Sequence, residues 1–261
     1  TDDKYFVGFR KNSVGYNYVD KRYVFNFNKY IKWIKSENWS TENLISRGGL
    51  SKDINQLNYL FIGVGSVGSG IVEAMVRMGV RKVDIVDPDV LQMGNLTRHE
   101  LLANDLHHSK AKQMVDRISK SNIHYTGKSY NTHIEDFVQN FPEKISEYDV
   151  IIETTGENKV LELLGNLNLD AKVFSVSIGI SAHRLYLYSS KSKSISIDTF
   201  LSTIHPWIDI DFDEFPLESF PRDGFGCWHP LFPARLDHVN LLCSTAVIIM
   251  ETDLIDDKDH I

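Results

Sequence analysis

Between residues 63 and 110 the chain carries a set of side chains spaced for nucleotide chemistry: Gly63-x-Gly65-x-x-Gly68, then Asp87, Asp89, Asn95, Arg98 and Lys110. Glycines lack a Cβ, so peptide N–H groups can approach a phosphate, and the end of a following helix adds partial positive charge. Asp87 lies 19 residues after Gly68, where a carboxylate accepts hydrogen bonds from ribose hydroxyls. Asp89 follows in the same nucleotide-binding stretch. A dinucleotide presents one pyrophosphate, for which backbone donors and a helix end largely suffice. Asn95, Arg98 and Lys110 add donors for a longer polyphosphate: arginine grips phosphate oxygens bidentately and lysine adds a point charge. ATP fits this set better than NAD. Taken singly, Arg98 and Lys110 would read as a solvated loop and helix face.

These residues need a frame to hold them. Leu60-Phe61-Ile62 is an apolar run that feeds the glycines, and a helix follows with Ile71, Val72, Met75, Val76 and Met78 on its buried face. Gly79 is placed to end that helix in a left-handed conformation, and a second strand, Val83 to Val86, delivers Asp87. The chain then reads as helical from Leu101 to Ser121, with a weaker strand and a helical crossover around Phe137 within residues 122 to 147. Tyr148 to Glu153 reads as a buried strand, with Thr154 to Asn158 as the loop at its C-terminal end, where open α/β sheets bind ligands. Further strands are expected at Val173 to Ile178, Arg184 to Tyr188 and Ser194 to Ile197, the first two joined by a turn at Gly179 and Ser181.

Ser202 to Arg235 reads as a long irregular stretch, and loops of that length are lids, binding loops or disordered segments. Its acidic section, Asp209 to Glu214, reads as a solvated charge run. Cys243 sits in an apolar closing helix and reads as core. The fold class is therefore α/β: a doubly wound Rossmann-like sheet with an aromatic N-terminal extension and a long crossover loop. Residues 1–46 form the extension or a linker remnant, and residues 47–261 the nucleotide domain, its crossover at about 202–235. Within the extension Tyr23 to Phe27 alternates like a strand, and Asn28 to Lys35 reads as a short helix. Its aromatics are read as packing locally, with a docking segment as the alternative.

The combination Asp87-x-Asp89, Asn95-Leu96-x-Arg98-His99 and Lys110-Ala111 resembles the ThiF/MoeB-type superfamily, which includes ubiquitin-activating enzymes, over roughly Arg47 to Val247. The resemblance implies ATP-dependent adenylation of a protein partner's C-terminal carboxylate, with Asp87 on the ribose and Asn95, Arg98 and Lys110 around the phosphates. It also implies an arginine finger upstream of the glycines, sometimes from a neighbouring subunit. Arg47, in Ser46-Arg47-Gly48-Gly49, is the candidate, with a plain surface arginine as the alternative. The superfamily commonly holds Mg2+ with an aspartate in the loop after Glu153. Here Gly156 or Glu157 stands in that region, and Glu157 is the candidate metal ligand, carboxylate oxygen being suited to Mg2+. This departure keeps a non-adenylating homologue as an alternative.

Gly226-Cys227-Trp228-His229-Pro230 resembles the cysteine-bearing crossover segment of activating enzymes, especially of bacterial conjugation systems of the anti-phage kind. Cys227 is the candidate acyl acceptor: its preceding glycine opens access, and His229 could favour the attacking thiolate. The alternative is a small apolar residue buried in a loop. The partners implied are a ubiquitin-like protein or nucleotidyltransferase bearing the carboxylate, a conjugating-enzyme domain, and a second copy of the chain.

Composition sets outer limits. With 42% hydrophobic and 24% charged residues, the 261-residue chain has ordinary globular composition. A net charge of −7 and a pI near 5.8 argue against a nucleic-acid footprint. No apolar stretch is read as long enough to span a bilayer, no signal peptide is visible, and two cysteines, Cys227 and Cys243, make no disulfide framework, so a cytoplasmic setting is expected. The start at Thr1 suggests a piece of a longer protein. Rival readings from other classes are an inactive scaffold subunit and an NAD-dependent oxidoreductase. Within the enzyme class the rival is a small-molecule or tRNA-directed adenylating enzyme.

Overall fold

The computed structural model describes residues 5–12, 15–23, 34–215, 222–223, 229–230, 233–257 and 259. The chain divides into two compact units, 1–38 and 39–261. The first contains an antiparallel hairpin of β1 (Tyr5–Asn12) and β2 (Gly15–Tyr23). The strand expected over Tyr23 to Phe27 begins where β2 ends, and residues 24–33 lie outside the described residues, as does most of the expected Asn28 to Lys35 helix.

The second unit opens with two short helices, α1 (Thr41–Ile45) and α2 (Lys52–Gln56), capped by Ser40 and Ser51. β3 (Asn58–Ile62), α3 (Ser66–Arg77) and β4 (Lys82–Val86) then form the βαβ unit that the glycine spacing predicts. It is followed by α4 (Lys110–Ser121), β5 (Ser129–Tyr130), α5 (Ile134–Asn140), β6 (Val150–Glu153), α6 (Asn158–Asn166), β7 (Lys172–Ile178) and β8 (Leu185–Lys191). The sheet order is β5-β4-β3-β6-β7-β8, parallel except for β8, which pairs antiparallel with β7. Alternation along β3 sends Tyr59 and Phe61 to one core and Leu60 and Ile62 to the other. The first core packs α3 and α4 against the sheet, the second α5 and α6.

Five expectations are corrected. Residues 101–109 are not helical: a single 3-10 turn at Ala103–Asp105 precedes α4, which begins only at Lys110 behind the Ser109 cap. Ser194 to Ile197 is not a strand; a 3-10 turn at Ser192–Ser194 leads into a helix. That helix, α7 (Ile197–Glu214), occupies the first part of the stretch read as irregular, and runs through Pro206. Phe200 is buried, and Leu201 and Ile204 pack beside it against the second core, which holds the helix despite the backbone bond that proline removes. The acidic run is not simply solvated. Asp211 is 1% exposed and accepts from Arg184 Nη1 at 2.8 Å and Tyr186 OH at 3.2 Å. Beyond α7, β9 (Arg222–Asp223) and β10 (His229–Pro230) pair antiparallel; Cys227, between them, lies outside the described residues.

The fifth correction concerns α8 (Leu236–Asp256), which is long and apolar enough, by length and composition, to cross a membrane. It lies against α3, burying Val239, Cys243, Ala246, Val247 and Met250. Gly70 allows the close approach: a Cβ there would stand 3.2 Å from Cys243 Sγ. Cys243 is thus core, and burial pushes its thiol up to about 12.

Candidate active site at the glycine turn

The turn between β3 and α3 is built from backbone that only glycine accepts easily. Gly63 has φ +82°, and a Cβ on Gly68 would collide with the Gly63 carbonyl oxygen and Thr154 Oγ1. Nothing lies within 4 Å of where a Gly65 Cβ would stand, so the backbone there is open to a ligand. The helix end beyond it supplies the N–H groups and partial charge that attract phosphate. From the β6 side, Thr154 Oγ1 donates to the Gly63 carbonyl at 2.6 Å, bringing the loop after β6 against the turn.

Asp87 does more than the spacing indicates. It is 4% exposed; its Oδ2 accepts from Val64 N–H at 2.7 Å and its Oδ1 from Asp89 N–H at 2.7 Å. Burial raises its pKa, opposed by these two hydrogen bonds and by Lys110. The carboxylate therefore fixes the turn, and each oxygen keeps lone-pair capacity for a ribose hydroxyl. Lys110, in the first turn of α4, is buried and pairs with Asp89, Nζ to Oδ2 at 2.8 Å. Its backbone N–H is bonded to the Asp89 carbonyl at 2.9 Å, so the β4 exit and the α4 entrance are locked together.

Asn95 ends a 3-10 turn, Met93–Asn95, and spends its Oδ1 on Gln92 N–H at 2.9 Å. Three residues on, Arg98 is half-buried and its pKa is lowered by that burial. Its carbonyl accepts from Ser66 Oγ at 3.0 Å, which holds the arginine segment against the start of α3. His99, not singled out for a role by the sequence, is 8% exposed and sits 2.7 Å from the Val64 carbonyl through Nε2. Glu100 is tied by Arg117 Nη2 at 3.3 Å. The motif itself flagged position 99, but its burial is a tertiary property.

The structure thus brings Gly63, Gly65, Gly68, Asp87, Asp89, Arg98 and Lys110 to one end of the sheet, with Asn95 on the same segment. Arg47 is not among them. It is exposed, and its loop is anchored by Gly49 and Leu50 packing on Met78 at the far end of α3. A 12-residue helix is about 18 Å long, so the Gly49–Leu50 anchor of that loop lies about that far from the glycine turn.

Glu157 leads into α6 at the correct end, exposed, with Oε2 2.9 Å from Lys159 Nζ. Glu153 nearby is buried and committed: Thr155 N–H, Thr155 Oγ1, Gly156 N–H and Ser175 Oγ all donate to it. Among the described residues no three His, Cys, Asp or Glu side chains group as a metal cluster. A single accessible carboxylate near the glycine turn is of the type that suits Mg2+, which is usually bound by one or two carboxylates plus substrate phosphates and retained waters. Beside Gly156 a cavity of about 360 Å³ opens, with Ser175 and Ser177 among its polar lining and Phe200, Ile204 and Ile208 of α7 on its wall.

The ThiF family matches residues 38–168. The ATP-dependent ubiquitin transferase-like protein Cap2 of Enterobacter hormaechei subsp. hoffmannii is 33% identical over 217 residues, which is 81% of this chain but 35% of Cap2. The chain thus spans about a third of that relative's length. A tRNA threonylcarbamoyladenosine dehydratase of Haemophilus influenzae is 26% identical over 210 residues, 74% of this chain and 75% of that protein. Among solved structures, E. coli MccB with ATP superposes with a TM-score of 0.54 at 13% identity, covering 80% of this chain and 57% of MccB. That likeness is one of fold.

Proposed function

The chain belongs to the ThiF family, and from that premise we propose that it is an ATP-dependent adenylating enzyme acting on the C-terminal carboxylate of a protein partner. What supports this most directly is the stitching of the Arg98 segment onto the open glycine turn, Ser66 Oγ to the Arg98 carbonyl at 3.0 Å. It brings the Arg98 segment beside the backbone donors of the turn, where a delocalised cation would serve more phosphate charge than a dinucleotide carries. Asp87 would hold the ribose. Asn95, Arg98 and Lys110 would surround the phosphates, Lys110 by exchanging Asp89 for a phosphate oxygen. Glu157 would help hold Mg2+, which supplies charge neutralisation on the phosphates.

In this reading the partner's carboxylate oxygen attacks the α-phosphorus, the bond to the β-phosphate bridging oxygen breaks, and pyrophosphate leaves. Arg98 and Lys110 stabilise the charge that develops there. The partner's terminal residues would lie in the cavity beside Gly156. Arg47 would contribute only from a neighbouring subunit. Cys227 Sγ, deprotonated, would then attack the acyl carbon and release AMP, leaving a thioester for a conjugating-enzyme domain. A ubiquitin-like protein or a nucleotidyltransferase is the partner class, and the similarity to the ubiquitin transferase-like protein Cap2 supports a conjugation system.

A second reading, an inactive scaffold, is favoured by one observation: Glu157 is paired with Lys159. Thermal unfolding separates the readings. ATP with Mg2+ held a hundredfold above its dissociation constant stabilises wild type by about 2.7 kcal/mol. Charged hydrogen bonds contribute about 1.5–3 kcal/mol, so Arg98→Ala should weaken ATP by at least about tenfold and erase at least about half of that gain. A response to NAD in place of ATP retires the proposal, and a response to neither points to the scaffold. The cysteine is tested apart. In cell extract with ATP, a thiol-sensitive adduct should form on wild type and vanish in Cys227→Ala while ATP binding persists; an adduct surviving the substitution removes Cys227 from the reaction.

A further inference from the structure

His99 is buried at the junction of the two segments that make the site, and its bonding fixes its tautomer. Leu101 N–H donates to Nδ1 at 3.0 Å, so Nδ1 is the acceptor and Nε2 carries the hydrogen, which it donates to the Val64 carbonyl at 2.7 Å. The same Val64 residue gives its N–H to Asp87 Oδ2 at 2.7 Å. One residue at the centre of the glycine turn is therefore held on one side by the ribose acid and on the other by the residue next to Arg98. Ser66 Oγ to the Arg98 carbonyl runs alongside, and Arg117 tethers Glu100.

We propose that neutral His99 is a positioning residue that couples the glycine turn to the Arg98 segment, and that protonation of its ring uncouples them and weakens nucleotide binding. The proposal rests on the adenylating site described above. A proton on Nδ1 would face the Leu101 N–H, so the acceptor of that bond would be lost. The charged groups around the ring are Lys110 and Arg117 of α4, which disfavour the imidazolium, and Asp105 of the preceding 3-10 turn, which favours it. Glu100 adjoins it in the chain, and Asp87 reaches it through Val64. Burial is the largest influence and lowers the His99 pKa to about 4, so the ring is neutral at pH 7. Because the folded pKa lies below the ordinary value, opening of this junction takes up a proton. Protection is full above about pH 6.5 and falls as pH drops toward 4.

The test uses the full chain as wild type, His99→Ala and His99→Gln, since glutamine can both donate to Val64 and accept from Leu101. Amide exchange is read as protection in segments 63–69 and 95–101, with 172–191 of β7 and β8 as the distant control, and ATP affinity is read by calorimetry from pH 5 to 8. At pH 8 His99→Ala should lose about tenfold protection in both site segments, the effect of orphaning a buried polar group, with the control unchanged and ATP weakened by a like factor. His99→Gln should restore both and flatten the wild-type decline in protection of the two site segments between pH 6.5 and 5. Unchanged protection in His99→Ala, or loss spread equally to the control, overturns the proposal. So does a wild-type decline in protection between pH 6.5 and 5 that persists in His99→Gln. If wild type binds no ATP at any pH, the adenylating site falls, and the exchange data alone decide whether the coupling stands.

Discussion

Gly68→Ala should abolish the thermal response to ATP and destabilise the fold by about 1–2 kcal/mol. Within a helix, alanine ordinarily gains about 1 kcal/mol over glycine, and Gly68 lies in the first turn of α3. Here the new methyl would meet the Gly63 carbonyl oxygen and Thr154 Oγ1. The threonine can rotate, but the carbonyl belongs to the turn itself, whose Gly63 N–H is fixed to the Val86 carbonyl at 2.9 Å. Overpacking of this kind costs about 1–3 kcal/mol, enough to outweigh the propensity gain. Relief comes from moving the glycine turn, which displaces the donors a phosphate needs. Chemical denaturation and an ATP-dependent melting shift check the two halves. Wild-type stability with a wild-type ATP response would show that the turn absorbs a side chain and that this crevice is not the nucleotide site.

The second large effect is expected far from any phosphate, at Asp211. Removing one partner of a buried ion pair costs about 3–5 kcal/mol because the other charge is left behind. Arg184 keeps about a quarter of its side chain exposed, so Asp211→Ala should cost less, roughly 2–3 kcal/mol. For a domain of this size that lowers Tm by roughly 4–12 °C. Tyr186 loses an acceptor at the same time. Asp213→Ala, two residues along on the exposed side of α7, is the internal control and should change stability by less than about 0.5 kcal/mol. Equal, small effects at both positions would restore the solvated charge run.

That pair shows where sequence reasoning stops. The βαβ unit was legible because its signals are local: an apolar strand, three glycines, a 3.6-residue stripe and an acid at fixed spacing. Helix α7 had a stripe as well, in Ile197, Phe200, Leu201, Ile204 and Ile208, but Pro206 and the acids punctuate it. The partners of Asp211 lie 27 and 25 residues earlier, beyond any window. Arg47 shows a topological limit. Arg47 precedes α2 and the start of β3, whereas the glycines lie at that strand's end, so closeness in sequence to Gly63 does not put it beside the turn of its own chain, and a finger from a neighbouring subunit stays a proposal. Asp87 was found for its carboxylate, but its grip on Val64 depends on how the turn folds back onto β4. In α8, apolar residues on every side give no period to read, and only packing against α3 separates core from surface.

The pairing of β3 with β6 also has a kinetic side. Most of the site, from Gly63 to Lys110, is contributed by neighbours in sequence, but Thr154, which secures the Gly63 carbonyl, arrives 91 residues later. Closing a loop of that length costs on the order of 4 kcal/mol of chain entropy, about 1 kcal/mol more than the β3–β4 crossover needs. As the chain leaves the ribosome the turn should therefore exist before its clasp does. Nascent chains ending short of β6 would hold an unlatched glycine loop with little affinity for nucleotide, and binding competence would appear late, in one step, as β6 docks.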